Sequence, residues 1–183
     1  MRWIIAPIVA GFLAGSALAE TSQNDFIQRL DRLFGELHAA PDQTAAKLTE
    51  FQIWAIWASN STPEAVQQLA EASAAINSGA ANLAETKLNE LVLAHPNFAE
   101  GWNRRATLYF MQGRYDESLS DIAKVLALEP RHFGALSGKG MVLSAQGKPA
   151  EAIRAMRQAL AVDPNLLNIK DAVQQLEKLN PDL

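Results

Sequence analysis

The chain has 183 residues, a formal net charge of −4, 49% hydrophobic residues and no cysteine. That length holds one domain or a small repeat array, and the mild acidity offers no basic stripe for nucleic acid. The missing cysteine excludes disulfides, a thiol nucleophile, cysteine-ligated metal and a lipidated cysteine anchor. Much of the apolar content is alanine, which favours helix.

Residues 1–19 differ in kind from the rest. Met1-Arg2 gives a short positive start, Trp3 to Leu18 runs without a charge, and Ala17-Leu18-Ala19 precedes Glu20. This is the plan of a secretory leader cut after Ala19. The apolar run is shorter than the roughly 20 residues that span a bilayer, and Pro7, Gly11 and Gly15 loosen it, which weighs against an uncut anchor. The expectation is export to a bacterial periplasm, with no stable membrane insertion once the leader is removed.

Glu20 to Asn24 reads as a loose start. A helical stripe comes next at Phe26, Ile27, Leu30, Leu33, Phe34 and Leu37, and Pro41 stops it. Asp42 can cap a second helix carrying Ala45, Leu48, Phe51, Ile53, Trp54, Ile56 and Trp57, broken at Ser59-Asn60-Ser61-Thr62-Pro63. Ser61 with Glu64 reads as a capping box for the next helix. The second helix is apolar nearly all round and must be covered. Trp54 and Trp57 are expected to pack on the first repeat; the sharper alternative makes Phe51, Trp54 and Trp57 a docking surface for a partner or a second copy.

Beyond Ala65 a period takes over. Pro96, Pro130 and Pro164 recur every 34 residues, and so do Gly79, Gly113 and Gly147. Two interleaved ladders of one period describe a helix, a turn, a second helix and a corner. The blocks are Ala65–Phe98, Ala99–His132 and Phe133–Leu166. Isolated helices of this length are marginal in water, so they must be stabilised by their neighbours. Leu167 to Leu179 is a further amphipathic helix with Ile169, Val173, Leu176 and Leu179 inward, suited to capping the array.

The second block carries Trp102, Ala106, Tyr109, Gly113, Ser118 and Pro130, and the third carries Leu136, Gly140, Leu143, Gly147, Ala152, Met156, Ala159 and Pro164. Ala72, Gly79, Ala84, Leu88 and Pro96 hold a weaker first frame. These residues resemble the tetratricopeptide repeat. The resemblance implies an all-α, right-handed α-solenoid of helix-turn-helix repeats. The organisation read from the chain is a leader over 1–19, a helical hairpin over 20–62, three repeats over 63–98, 99–132 and 133–166, and a capping helix over 167–183. Ala72, Ala106 and Gly140 would let paired helices approach Ala84, Ser118 and Ala152. Position by position, Glu71 is a candidate to pair with Arg105 across the first repeat boundary.

The same resemblance implies a concave groove lined by the first helix of each repeat. Its candidate residues are Leu69, Ser73 and Ile76, then Glu100, Asn103, Arg104, Thr107, Phe110 and Met111, then Gly134, Ser137, Gly138, Met141 and Ser144. Such a mixture suits a peptide or helix of another protein. The Lys and Asn pattern with which one subgroup grips a C-terminal carboxylate is absent, since Leu69, Ser73, Arg104, Gly134 and Gly138 stand there. Gly134 and Gly138, one turn apart, each cost about 1 kcal/mol of helix propensity, and one explanation is room for a partner backbone. His38, His95 and His132 form no catalytic or ligating pattern, and corner histidines such as His95 and His132 are expected to be exposed or to cap a helix C-terminus. The reading is a non-catalytic adaptor without metal or cofactor; the alternative is an auxiliary, self-associating subunit of an envelope transport or cell-wall complex.

Overall fold

A computed structural model describes the backbone of residues 10–182 and the side chains of residues 24–182. All regular elements among them are helical: α1 (Ala10–His38), α2 (Gln43–Ser59), α3 (Pro63–Asn77), α4 (Ala81–Ala94), α5 (Ala99–Met111), α6 (Tyr115–Leu128), α7 (Phe133–Ala145), α8 (Pro149–Val162) and α9 (Leu167–Leu179). Of the leader expected over 1–19, residues 1–9 lie outside the described ones. Helix α1 runs through Glu20–Asn24, which is therefore no loose start. No Gly or Pro interrupts the sequence between Gly15 and Gly35, so nothing there breaks a helix.

The solenoid is built from three antiparallel pairs, α3 with α4, α5 with α6 and α7 with α8, each packed on the next. The ladder glycines make the turns. Gly79, Gly113 and Gly147 have φ of 75°, 74° and 71°, and the amides of Ala80, Arg114 and Lys148 reach back to carbonyls five residues earlier at 2.9 Å. This is the Schellman closure, and only glycine adopts its left-handed residue without cost. At the crossings Ala72, Ala84, Ala106, Ser118 and Ala152 are buried, and Ser118 donates its hydroxyl to the Ala106 carbonyl at 2.8 Å. A Cβ on Gly140 would collide with Met156 and lie 3.2 Å from the Ala152 carbonyl.

Charged pairs run both within repeats and between them, as Arg114 of the second repeat meets Glu85 of the first at 2.7 Å. Glu71 meets Lys87 at 2.7 Å, and Arg105 grips Asp121 with two bonds of 2.7 and 2.8 Å. The expected Glu71–Arg105 pair does not form, because each side chain reaches the second helix of its own repeat, 16 residues on. Likewise, the α3 cap is Thr62, whose hydroxyl accepts from the Ala65 amide, and not Ser61.

Helices α1 and α2 form a hairpin, yet it does not extend the stack. It lies across the proline corners. Leu30, Leu33, Phe34 and Leu37 of α1 and Ala46, Ile53, Ile56 and Trp57 of α2 share one buried cluster with Phe133 of the third repeat, bordered by Val162 and Leu166. Polar bonds fasten the same seam: Gln43 to the Asn165 carbonyl at 3.1 Å, Asn165 to the Leu37 carbonyl at 3.0 Å, and Arg131 to Asp31 at 2.6 Å. Trp54 and Trp57 therefore pack chiefly against the start of the third repeat rather than the first.

Asp163, at the C-terminus of α8, sits in this seam with no exposure, and its Oδ2 has no hydrogen-bond partner among the described residues. Burial pushes its carboxyl above the usual carboxylate range. Burial, then the neighbouring Asp163 charge, does the same to Glu50 on α2; Lys47 opposes the Glu50 shift, and the Asn165 hydrogen bonds and then His38 oppose that of Asp163, only in part. A carboxyl raised by folding stabilises the native state fully below its unfolded pKa, and that stabilisation is lost as pH rises through the folded value. Asp163→Asn should therefore raise the melting temperature near neutrality, with the gap over the parent shrinking as pH falls towards about 4. A gap independent of pH would refute the assignment.

Candidate functional site

The first helices of the second and third repeats diverge enough to leave an apolar groove of about 350 Å³. Of the residues expected to line it, Asn103, Thr107, Phe110, Met111, Gly134, Ser137, Gly138 and Met141 do so. Phe110 is held half-buried against Tyr115, with ring centroids 6.0 Å apart, while Met111 and Met141 are exposed. Ile122 contributes from the second helix of its repeat, and Asn168 and Ile169 close one side from α9. The inward stripe of α9 already marked Ile169 in the sequence, but nothing local told that its first turn borders the groove.

The remaining candidates lie elsewhere. Leu69 is buried in the first-repeat core with Ile76 packed beside it, and the Ser73 hydroxyl is bound to the Leu69 carbonyl at 2.7 Å. Arg104 and Ser144 are half-buried and do not line the groove. Glu100 was expected at the surface of the groove but is only 2% exposed. The hairpin covers this corner, so the family register that aims Glu100 into a trough does not hold here.

His132 explains the position of Glu100. It is fully buried, and its ring stacks on Trp57 at 4.3 Å and 10°. Its Nδ1 accepts from the Ala135 amide at 3.0 Å, capping the N-terminus of α7, and its Nε2 meets Glu100 Oε1 at 2.9 Å. The expectation of an exposed or C-terminal corner histidine is thus wrong for His132. A ring acceptor three residues before a free helical amide is the one local signal that pointed to it.

The hairpin's docking residues are also redistributed. Trp57 is 3% exposed, and Trp54 is edge-on to Trp57, His132 and Phe133 at 5.1–5.4 Å. Trp57 offers no docking surface and Trp54 is only partly exposed; Phe51, 70% exposed, faces fully outward.

Gly134 is accounted for by Trp54. A Cβ there would lie 2.5 Å from its ring, whereas one on Gly138 would meet nothing nearer than Ile122 at 3.8 Å. The backbone that approaches closely is the chain's own α7, admitting its own tryptophan. Because the ring is wedged among Trp57, His132 and Phe133 it cannot retreat, and overpacking costs roughly 1–3 kcal/mol against the ~1 kcal/mol that alanine gains in a helix. Gly134→Ala should lower the unfolding free energy, and Gly138→Ala should raise it by about 1 kcal/mol. Equal effects of the two in urea denaturation would contradict this geometry.

The tetratricopeptide repeat model matches residues 97–165. A TPR repeat-containing protein of Rhizobium etli is 37% identical over 153 residues, covering 83% of this chain and 75% of the relative. The chain belongs to the tetratricopeptide repeat family. Repeats of this family mediate protein–protein interaction. Among solved structures, the first TPR of Spaghetti (RPAP3), bound to the HSP90 peptide SRMEEVD, superposes with a TM-score of 0.62 at 19% identity, covering 65% of this chain and 94% of that one. The type III secretion translocator chaperone SycD of Yersinia enterocolitica gives a TM-score of 0.62 at 14% identity, covering 68% and 99%. These two likenesses are of fold. Among the described residues no helix is long and apolar enough to cross a membrane, and no grouping of three His, Asp or Glu could hold a metal.

Proposed function

We propose that this TPR protein is a non-catalytic adaptor or assembly factor of the bacterial envelope, exported by its leader, that captures a segment of another protein in the groove between its second and third repeats. The observation that carries this reading is the groove itself, a cavity of about 350 Å³ with Phe110, Met111, Met141 and Ile169 on its walls and Asn103, Thr107, Ser137 and Asn168 among them. Apolar walls with a few hydrogen-bonding groups suit an extended or helical segment with apolar side chains. The carboxylate-gripping pattern is missing, and this reading assumes no C-terminal tail on the captured segment.

A second reading, docking of an envelope complex or a second copy on the outer face of the hairpin, draws on the exposure of Phe51 and Leu48. One experiment separates the two. The protein is expressed with its leader in a two-membrane bacterium, and Phe110→Ala with Met141→Ala is compared with Phe51→Ala in site-directed cross-linking. Under the groove reading, one discrete cross-linked species is lost in the groove variant and kept in the Phe51 variant, and the mature chain begins at Glu20 in the periplasmic fraction. The reverse pattern would favour the hairpin, and recovery in the cytoplasm would overturn the address.

A further inference from the structure

A line of hydrogen bonds runs from His132, on which Trp57 of the hairpin stacks, to the groove wall, and it fixes which end of one amide the groove presents. The Ala135 amide can only donate, so the His132 nitrogen that accepts it, Nδ1, carries no proton, and the proton sits on Nε2. That Nε2–H donates to Glu100 Oε1 at 2.9 Å. The other carboxylate oxygen, Oε2, accepts from Asn103 Nδ2 at 3.1 Å. A carboxylate only accepts, so Asn103 must turn its NH2 towards Glu100. Asn103 borders the groove, and its Oδ1 has no hydrogen bond from the described residues and is not a buried atom. Both upstream groups are held rigidly, His132 at 0% and Glu100 at 2% exposure, with Trp57 stacked on the imidazole.

We infer that the groove selects a segment offering a hydrogen-bond donor, a peptide N–H in an extended stretch, to Asn103 Oδ1, and that Glu100 and His132 are positioning residues that set this polarity. The inference rests on the groove reading above and adds to it a sense of recognition: N–H before C=O. Glu100 is the switch. In Glu100→Gln the glutamine carbonyl takes the His132 proton, and its NH2 faces Asn103. Asn103 must then rotate to meet it with Oδ1, turning its own NH2 into the groove and abolishing the preference for an N–H.

The test uses the leaderless full chain with isotope-labelled methionine methyls and amides, titrated with N-acetyl-leucine methylamide and with its fully N-methylated counterpart, which lacks any N–H. Met141 methyl signals report groove occupancy, and the Asn103 side-chain amide reports the contact. One net hydrogen bond corresponds to a factor of about 3–10 in affinity. The parent should prefer the N–H probe by that factor, whereas Glu100→Gln, whose Asn103 NH2 meets the carbonyls that both probes carry, and Asn103→Ala should each show no such preference. Asn103→Ala keeps the test decisive should Glu100→Gln fail to fold. Met141 shifts with no preference in the parent, a preference persisting in Asn103→Ala, or an unchanged preference in a folded Glu100→Gln would overturn the inference alone. Absence of Met141 shifts with either probe would overturn the groove reading along with it.

Discussion

Trp57→Ala should destabilise the chain by about 3–5 kcal/mol, the range for a large aromatic side chain removed from a core. Trp57 is 3% exposed and touches the rings of Phe34, Trp54, His132 and Phe133, with centroids 6.1, 5.4, 4.3 and 5.2 Å away. Its removal opens a void bounded by stiff aromatic groups that cannot collapse into it, which places the cost high in that range. The Nε1 atom has no hydrogen-bond partner among the described residues, so the loss is one of packing. Trp57→Phe, which keeps a ring in the stack, should cost markedly less than the truncation. Urea unfolding monitored by circular dichroism measures both. A Trp57→Ala effect under about 1 kcal/mol, the size of an ordinary surface substitution or less, would mean that the hairpin is not docked as described.

Arg105→Met should cost about 3–5 kcal/mol, because it strands a buried carboxylate. The Asp121 side chain is 4% exposed and receives both guanidinium bonds, while Arg105 also donates to Asn89 at 2.9 Å and lies over the rings of Trp102 and Tyr109 at 4.9 and 5.5 Å. Methionine retains the stem and much of its contact with those rings, so the loss isolates the missing charge. The double substitution Arg105→Met with Asp121→Leu should recover most of the stability, since two apolar groups replacing a buried pair are often neutral. Additive costs in that cycle would show that the two side chains are not coupled.

The regular part of this fold was legible because its signals are local. A glycine at φ near 70–75° and a proline after each second helix must sit at fixed offsets, so the ladders of 79, 113 and 147 and of 96, 130 and 164 report the helices directly. Half-groove residues such as Thr107, Phe110 and Met141 came from the family register. What stayed hidden depends on non-local packing. The apolar stripe of α2 says that something covers it but not what, and its cover proved to be Phe133 and His132, more than 70 residues away. The cost of Gly134 was visible, but its beneficiary, Trp54 of the same chain, was not. Glu100 misled for a related reason: the register assumes an open trough, and the hairpin closes that corner.

The hairpin spans the later corners, packing on His132 and Phe133, bonding to Arg131 and Asn165, and bordering a pocket with Phe98. Ordinary solenoids tolerate copying and deletion of units, since each unit touches only its neighbours. Here inserting or removing 34 residues between Phe133 and Asn165 would put one of these attachments out of reach of the brace. Copying or deleting a unit between those corners should therefore loosen the brace, and side-chain changes along the trough are the less disruptive route to a new partner.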